Sequence, residues 1–419
     1  MSLFAYPIMD TYEHLVVTTT NEVIAYYKIP SMTVAITDEK KKVKIKDDVG
    51  RALRKLLPNH YFEIALVPKD FRLVEKMQDM AELLAPDSLD LGKLVLNTTL
   101  HELNKEIEIP YEYEWIIGIW LDKKEITLDI AGFALDKVNW ATAQVMERLG
   151  YEVERESNWY RNWQTEEAQA YGTLSILQPK RLTADELFYH QRYQFLRYTR
   201  HEREDVCASR HLSNVTDSIL TPLAGGHLKL TTPYGESYVA IMPVGKSPVF
   251  LNHQHLGEMV AKFNFPVELR IKASFAQVNG VNGLTNQMGR SKTRTRNIMQ
   301  EATNTGSEQL DRILEGKLAL DDLSKKIGDR KKQEPIIDYE MVVIVCASSV
   351  KQLKQRKIAL LSTFSSMDIH LSRATFDQPY LFQQTLLGTK LNATMAKWKH
   401  TTTAAGLAEQ MLFTKALNP

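Results

Sequence analysis

Cysteine is nearly absent: of 419 residues only Cys207 and Cys346 carry a thiol, one in a polar stretch and one inside an apolar run. Two such residues exclude a disulfide framework and fit a reducing compartment. Long apolar runs are missing as well. The longest lie near Trp115–Leu121 and Met341–Ala347, well short of the ~18 residues a membrane-spanning helix requires. Residues Met1–Asp10 hold neither a basic leader nor a long apolar segment, so no secretory signal is read there. Charge of one sign is lacking too, since 52 basic and 51 acidic side chains leave a formal net charge of +1. So even a balance singles out neither a nucleic-acid binder nor an enzyme for acidic substrates. These absences predict a soluble cytoplasmic protein.

Catalytic motifs are equally scarce. There is no G-x-S-x-G elbow, no H-E-x-x-H pair and no CxxC, so no catalytic residue and no metal ligand is assigned. His253-Gln254-His255 offers two imidazoles, but alternate positions on a helix face different ways and no acidic or thiol partner joins them. Ala240–Ser247 fits a relaxed Walker A pattern with Ala in place of the first Gly. A phosphate loop needs glycine-rich backbone after a strand and a helix starting at the lysine. Here Pro243 removes an N–H from the cradle, Gly245 is its only glycine, and the residues after Lys246 and Ser247 do not read as a helix. The favoured reading is a β-to-helix turn, with nucleotide binding through Lys246 as the weaker alternative.

What the chain does contain is a set of clear strand and helix patterns, arranged twice. Leu15–Val17, Val23–Tyr27, Phe62–Val67 and Trp115–Leu121 read as strands. A helix capped at Asp47 or Asp48 precedes the third, and helices over Phe71–Leu84 and Leu89–Leu103 precede the fourth. Leu228–Leu230, Ser237–Met242, Val267–Ala273 and Glu340–Ala347 repeat that order, followed by a helix capped at Ser348 or Ser349. The expected fold is α/β in the broad α+β sense, as two similar β-β-α-β-α-β-α sandwiches. Their limits are 1–155 and 225–388, with a mostly helical link at 156–224. A polar helical arm at 276–335 enlarges the second unit, and 389–419 reads as a connector.

Two basic stretches suggest partners. Arg290, Lys292, Arg294 and Arg296 alternate with polar residues at the start of the arm, and Arg330–Lys332 returns at its end. In a helical hairpin these form one patch that suits nucleic acid, an acidic lipid surface or a protein. Balanced acids in the middle of the arm also fit a merely solvated segment. The arm's second half carries an apolar stripe that includes Leu320 and Leu323 and needs cover. In Phe188–Arg203, tyrosines and a phenylalanine interleave with arginines. Single-strand stacking platforms show this pattern, and so do helices whose aromatics pack inward.

Several of these segments carry a resemblance. Tyr6-Pro7, the strand Val23–Tyr27, the block Phe265–Ile271, the strand Tyr339–Val345 with the helix after it, and Phe376–Gly388 look like the N-terminal region of conjugation ATPases of type IV secretion systems, the ConE/TrbE kind. Leu386-Leu387-Gly388 departs from it where relatives often carry proline before the glycine. The resemblance implies a docking and oligomerisation region at the inner face of the cell membrane. Its partners there are channel subunits and further copies of itself. A RecA-like motor, holding the ATP and magnesium sites, follows in such proteins, and this chain stops at Ala416–Pro419, about where the motor begins. No motor residue is available here, so ATP hydrolysis is not assigned. The alternative is a nucleic-acid-binding module built on the arm.

Overall fold

Alternating side chains build the strands, and their odd and even members sort onto the two faces of one sheet. The computed structural model describes residues 6–34, 38–70, 73–85, 89–106, 111–122, 158–201, 203–208, 212–246, 256–276, 334–391, 397–410 and 412–416. The first half holds β1 (Ile8–Tyr12), β2 (Leu15–Thr18), β3 (Val23–Ile29), β4 (Met32–Val34), helix α1 (Glu39–Lys55), β5 (Tyr61–Asp70), helices α2 (Leu73–Glu82) and α3 (Leu89–Glu106), and β6 (Tyr111–Trp120). Helix α4 (Gln164–Thr173), β7 (Lys180–Arg181) and helix α5 (Ala184–Leu196) follow. The second half holds β8 (Ile219–Leu223), β9 (His227–Thr232), β10 (Gly235–Lys246), helix α6 (Leu256–Ala261), β11 (Val267–Phe275), β12 (Ile336–Ala347) and helix α7 (Val350–Ser365). The last segment adds β13 (His370–Leu371), helix α8 (Gln378–Thr385), β14 (His400–Thr403), helix α9 (Ala404–Ala408) and β15 (Thr414–Ala416).

The α+β class holds. The main sheet runs β1-β2-β3-β6-β5-β11-β12-β10-β9-β8. Read outward from its middle, each half has the same order: β5-β6-β3-β2-β1 on one side and β11-β12-β10-β9-β8 on the other. The repeated order predicted from sequence is therefore present. Two separate sandwiches are not, because β5 and β11 pair antiparallel, from Leu269 opposite Leu66 to Ser274 opposite Tyr61. Apart, each strand would be an open edge with a row of unpaired backbone groups. Joined, they are the two central strands of one sheet.

One face carries a continuous core. Ala25 and Tyr27 of β3, Ile64 and Leu66 of β5, Leu269 and Ile271 of β11, and Val343 and Val345 of β12 lie under α1, α6, α7 and α9. The opposite face holds two smaller cores, one over the first half and one over the second. Helix α5 lies across both: Leu187, Tyr189 and Tyr193 face one, Phe188 and Phe195 the other. A capping box starts it, with Thr183 accepting from Glu186 N and the Glu186 carboxylate accepting from Thr183 N. Every residue from Glu186 to Leu196 is buried. The rings of Phe188–Tyr198 therefore pack inward, and the stacking-platform reading does not hold for them.

Two local expectations are corrected. Helix α1 begins at Glu39, capped by Asp38, whose carboxylate accepts from Lys41 N at 3.0 Å, so Asp47 and Asp48 lie in its interior. The lysine run forms its first turns, with Lys42 buried and its ammonium 2.6 Å from Glu39. The segment read as a connector is built into the fold. Strand β14 pairs with β12 and β15 pairs in parallel with β4. Phe413 is fully buried with its ring centroid 5.3 Å from that of Trp115.

Gly118 of β6 lies in register between Tyr26 and Glu63. A Cβ there would meet the Tyr26 ring at 2.6 Å and Glu63 Cγ at 3.0 Å. Gly118→Ala is expected to cost about 1–3 kcal/mol by overpacking, read as a lower urea midpoint at unchanged slope. An unchanged midpoint would show that the ring has room to move.

Candidate functional site

The register of the sheet sets five residues in a row across five neighbouring strands on the α5 face. They are Tyr26 of β3, Gly118 of β6, Glu63 of β5, Lys272 of β11 and Glu340 of β12. The missing side chain at Gly118 lets the Tyr26 ring cross over it, and Tyr26 Oη donates to Glu63 Oε1 at 2.5 Å. Lys272 pairs with Glu63 and also donates to the Leu386 carbonyl at 2.6 Å. The Gly388 amide, at a positive φ of 83° that favours glycine, donates to Glu63 Oε1 at 3.1 Å. The loop Leu386–Gly388 is thus tied to the centre of the sheet by charge.

A second knot sits one step along β11. Arg197, just past α5 and fully buried, grips Glu268 in a bidentate pair at 2.7 and 3.2 Å. Arg270 reaches the same carboxylate at 3.3 and 3.4 Å. Arg197 also donates to the Gln194 carbonyl at 2.8 Å, and Gln194 Oε1 accepts from Leu387 N at 2.8 Å. Three cations and three carboxylates, all at most 4% exposed, therefore lie where the two halves meet. What they do together is lock α5 and the Leu386–Gly388 loop onto β5 and β11.

Burial acts to raise the Glu268 pKa, but Arg197 and Arg270 outweigh it and hold the carboxyl below the usual range. Burial depresses Lys272 and Arg270 despite their acidic partners. Glu340 goes the other way. Burial pushes it up to about 6 against the pull of Lys272, and its Oε1 has no hydrogen-bond partner.

A separate polar cluster lies at the far end of β5 and β6. Glu114 accepts from His190 Nε2 at 3.0 Å and faces Lys69 and Lys28. Burial opposes these contacts, yet together they draw the Glu114 carboxyl down to about 2. Two shallow clefts open there, of about 210 and 180 Å³, lined by side chains of both signs, including Lys28, Glu112, Lys69 and Asp79. Among the described residues no group of three or more His, Cys, Asp or Glu side chains is placed to hold a metal ion.

Among the described residues, several of the exposed large apolar side chains lie on the helical hairpin inserted between β5 and β6. Leu84 packs so closely on Gly92 that a Cβ there would lie 2.5 Å away, which joins the two helices. Of the described side chains from Leu73 to Leu103, only Leu73 is buried. Leu91, Leu94 and Val95 lie at i, i+3 and i+4 on α3 and are 68%, 64% and 55% exposed, with Leu83 at 87%. The sequence pattern of α3 shows apolar residues on two sides, and the sheet covers neither.

Gly245 and Lys246 fall at the end of β10. Pro243 sits mid-strand opposite Val342, and Lys246 lies opposite His370 of β13. The backbone expected to turn is extended and paired through Lys246. Ser247, His253, His255, Arg290, Lys292, Arg294, Arg296, Leu320 and Leu323 lie outside the described residues.

No known protein-family profile matches the chain. It is 21% identical over 407 residues to the uncharacterized protein YddE of Bacillus subtilis (strain 168). That alignment takes in 97% of this chain and 48% of YddE, so the chain spans about half the length of that relative.

Glu268→Gln leaves Arg197 and Arg270 buried without a full counter-charge and is expected to cost about 3–5 kcal/mol, read by urea unfolding. A loss below 1 kcal/mol would show that the knot is wet. Glu340→Gln has the opposite sign at neutral pH. A carboxyl whose folded pKa is raised favours folding while protonated, and that contribution is lost as pH rises through about 6. The amide cannot ionise, so the variant should gain on the wild type as pH rises from 4.5 toward neutrality. The gain should reach about 1–2 kcal/mol. A pH-independent difference would rule out this titration.

Proposed function

We propose that this chain is the docking and oligomerisation region of a conjugative type IV secretion ATPase that energises DNA or protein transfer. In this reading it works at the inner face of the cell membrane, with channel subunits and further copies of itself as partners. ATP and magnesium belong to a RecA-like motor outside this region. The carrying observation is the α2–α3 hairpin, whose outward stripe Leu91–Leu94–Val95 is left exposed among the described residues. Apolar patches of this kind mark surfaces that meet other proteins. The segment 277–333 is inserted between β11 and β12, the same place in the second half. By that equivalence its stripe with Leu320 and Leu323 takes the same role. The resemblance supports the reading from a second side, since the block Phe265–Ile271 that carries it ends in the inner strand β11. The longer YddE leaves about half of its own length outside the match.

The second reading, a nucleic-acid-binding module using Arg290, Lys292, Arg294 and Arg296, loses one support. Arg192 and Arg197 of the aromatic helix segment are at most 5% exposed.

Leu94→Asp should leave unfolding unchanged, because the side chain is already 64% exposed. It should weaken self-association or capture by channel subunits about tenfold or more, the worth of one buried leucine. Leu320→Asp is expected to act likewise, and charge reversal at Arg294 and Arg296 to have the smaller effect. Light scattering and pull-down with the channel subunits measure this, beside a single-strand titration at two salt concentrations. Wild-type assembly by both leucine variants would overturn the reading. Salt-sensitive single-strand binding, abolished by the arginine reversals alone, would favour the second one.

A further inference from the structure

One surface has no role in the seam or the hairpin. Phe376, in the loop before α8, is 94% exposed. The loop is held in place next to the β8–β9 turn, where a Cβ on Gly226 would lie 2.9 Å from Thr375 Cα. Lys357 of α7 donates to the carbonyls of Gly225 and Gly226 at 3.3 and 3.1 Å, which brings its ammonium beside the same loop. Burial lowers the Lys357 pKa, and so do Arg373 and Lys354 close by. Ile358, on the outer side of α7 with Lys354, is 67% exposed. Among the described residues no carboxylate lies within ion-pair distance of Lys354, Lys357 or Arg373. The neighbouring Asp377 faces Lys397 at 3.8 Å. His227 is kept below its ordinary pKa by burial and by these lysines, so at neutral pH it adds no charge.

We propose that the outer side of α7 and the Arg373–Phe376 loop form a docking surface for anionic lipid. Lys354, Lys357 and Arg373 meet headgroups, and Phe376 with Ile358 enters the interfacial layer. The occupant follows from chemistry. A cluster of uncompensated cations calls for an anionic partner, and lysines around exposed apolar side chains suit the headgroup–acyl boundary. A stacked base needs an aromatic face backed by the protein. Phe376 instead projects alone, and the aliphatic Ile358 offers no stacking face. This inference rests on the placement at the inner face of the membrane and specifies which side of the molecule touches it.

The test is co-sedimentation of the full chain with vesicles of phosphatidylcholine alone and with one third phosphatidylglycerol, at low and high salt. Binding is expected only to the anionic vesicles and should weaken with salt. Lys354→Gln and Arg373→Gln should each cost about fivefold, as one basic residue at such a surface does. Phe376→Ala should reduce binding further and Phe376→Trp should restore it. Both positions are exposed, so folding should be untouched, which urea unfolding verifies. Equal binding to neutral vesicles, or no effect of Phe376→Ala, overturns the proposal. So does absence of vesicle binding with single-strand binding lost in the lysine and arginine variants. Loss of vesicle binding in these variants with assembly through Leu94 intact, or the reverse, separates failure of this proposal from failure of the docking reading.

Discussion

Glu63 faces Lys272 across the pairing of β5 with β11, and the arrangement of both halves follows from that contact. A buried ion pair adds little net stability, because desolvation consumes most of its attraction. Its value here lies in register. A slip of one residue along β11 turns its charged residues toward the continuous core on the other face and brings apolar side chains to the seam. We attribute the single joined sheet to this constraint. Leu386–Gly388 and the end of α5 reinforce it, because both present polar groups that only the correct register satisfies.

The strands of the second half were legible because apolar runs such as Met341–Ala347 are strands under any environment. The repeated order was legible for the same reason. What the charges of β11 meant was not. Glu268, Arg270 and Lys272 alternate with apolar neighbours, the pattern of a strand with one wet face, yet all three are buried. The Glu268–Arg270 contact is local, but Glu63, Arg197 and Glu340 are distant in sequence, so no local window reveals the rest of the pairing. One signal was available: Glu268 balances only one of Arg270 and Lys272, so this face calls for a further carboxylate from another strand. The lysine run before Asp47 hid the start of α1 for a related reason, since a charged stretch reads as loop unless its cap at Asp38 is noticed. In β10 the sequence pattern reads as a strand only as far as Met242, because Pro243 and Gly245 spell a turn, yet its pairing carries on to Lys246.

The candidate surfaces obey a division that the topology imposes. The first half leaves the sheet between its inner strand β5 and β6, and there the described side chains past Leu73 are not buried. In the α2–α3 hairpin Leu84 packs on Gly92 while Leu91, Leu94 and Val95 stay exposed. The α7 surface differs in kind. It belongs to the packed body, with Leu353, Leu360 and Phe364 buried beneath it, so its outer residues vary without cost to the core.

The antiparallel pairing of β5 and β11 has a mechanical consequence. Strand β5 runs out to the hairpin past Asp70, while β11 ends at Phe275, whose amide bonds to the His60 carbonyl before β5 begins. The two insertions therefore leave from opposite ends of the central pair. Tension applied between them acts along the strands, and the six register pairs from Leu269–Leu66 to Ser274–Tyr61 bear it together instead of parting one at a time. The seam is then a lap joint, with the Glu63–Lys272 pair as the rivet.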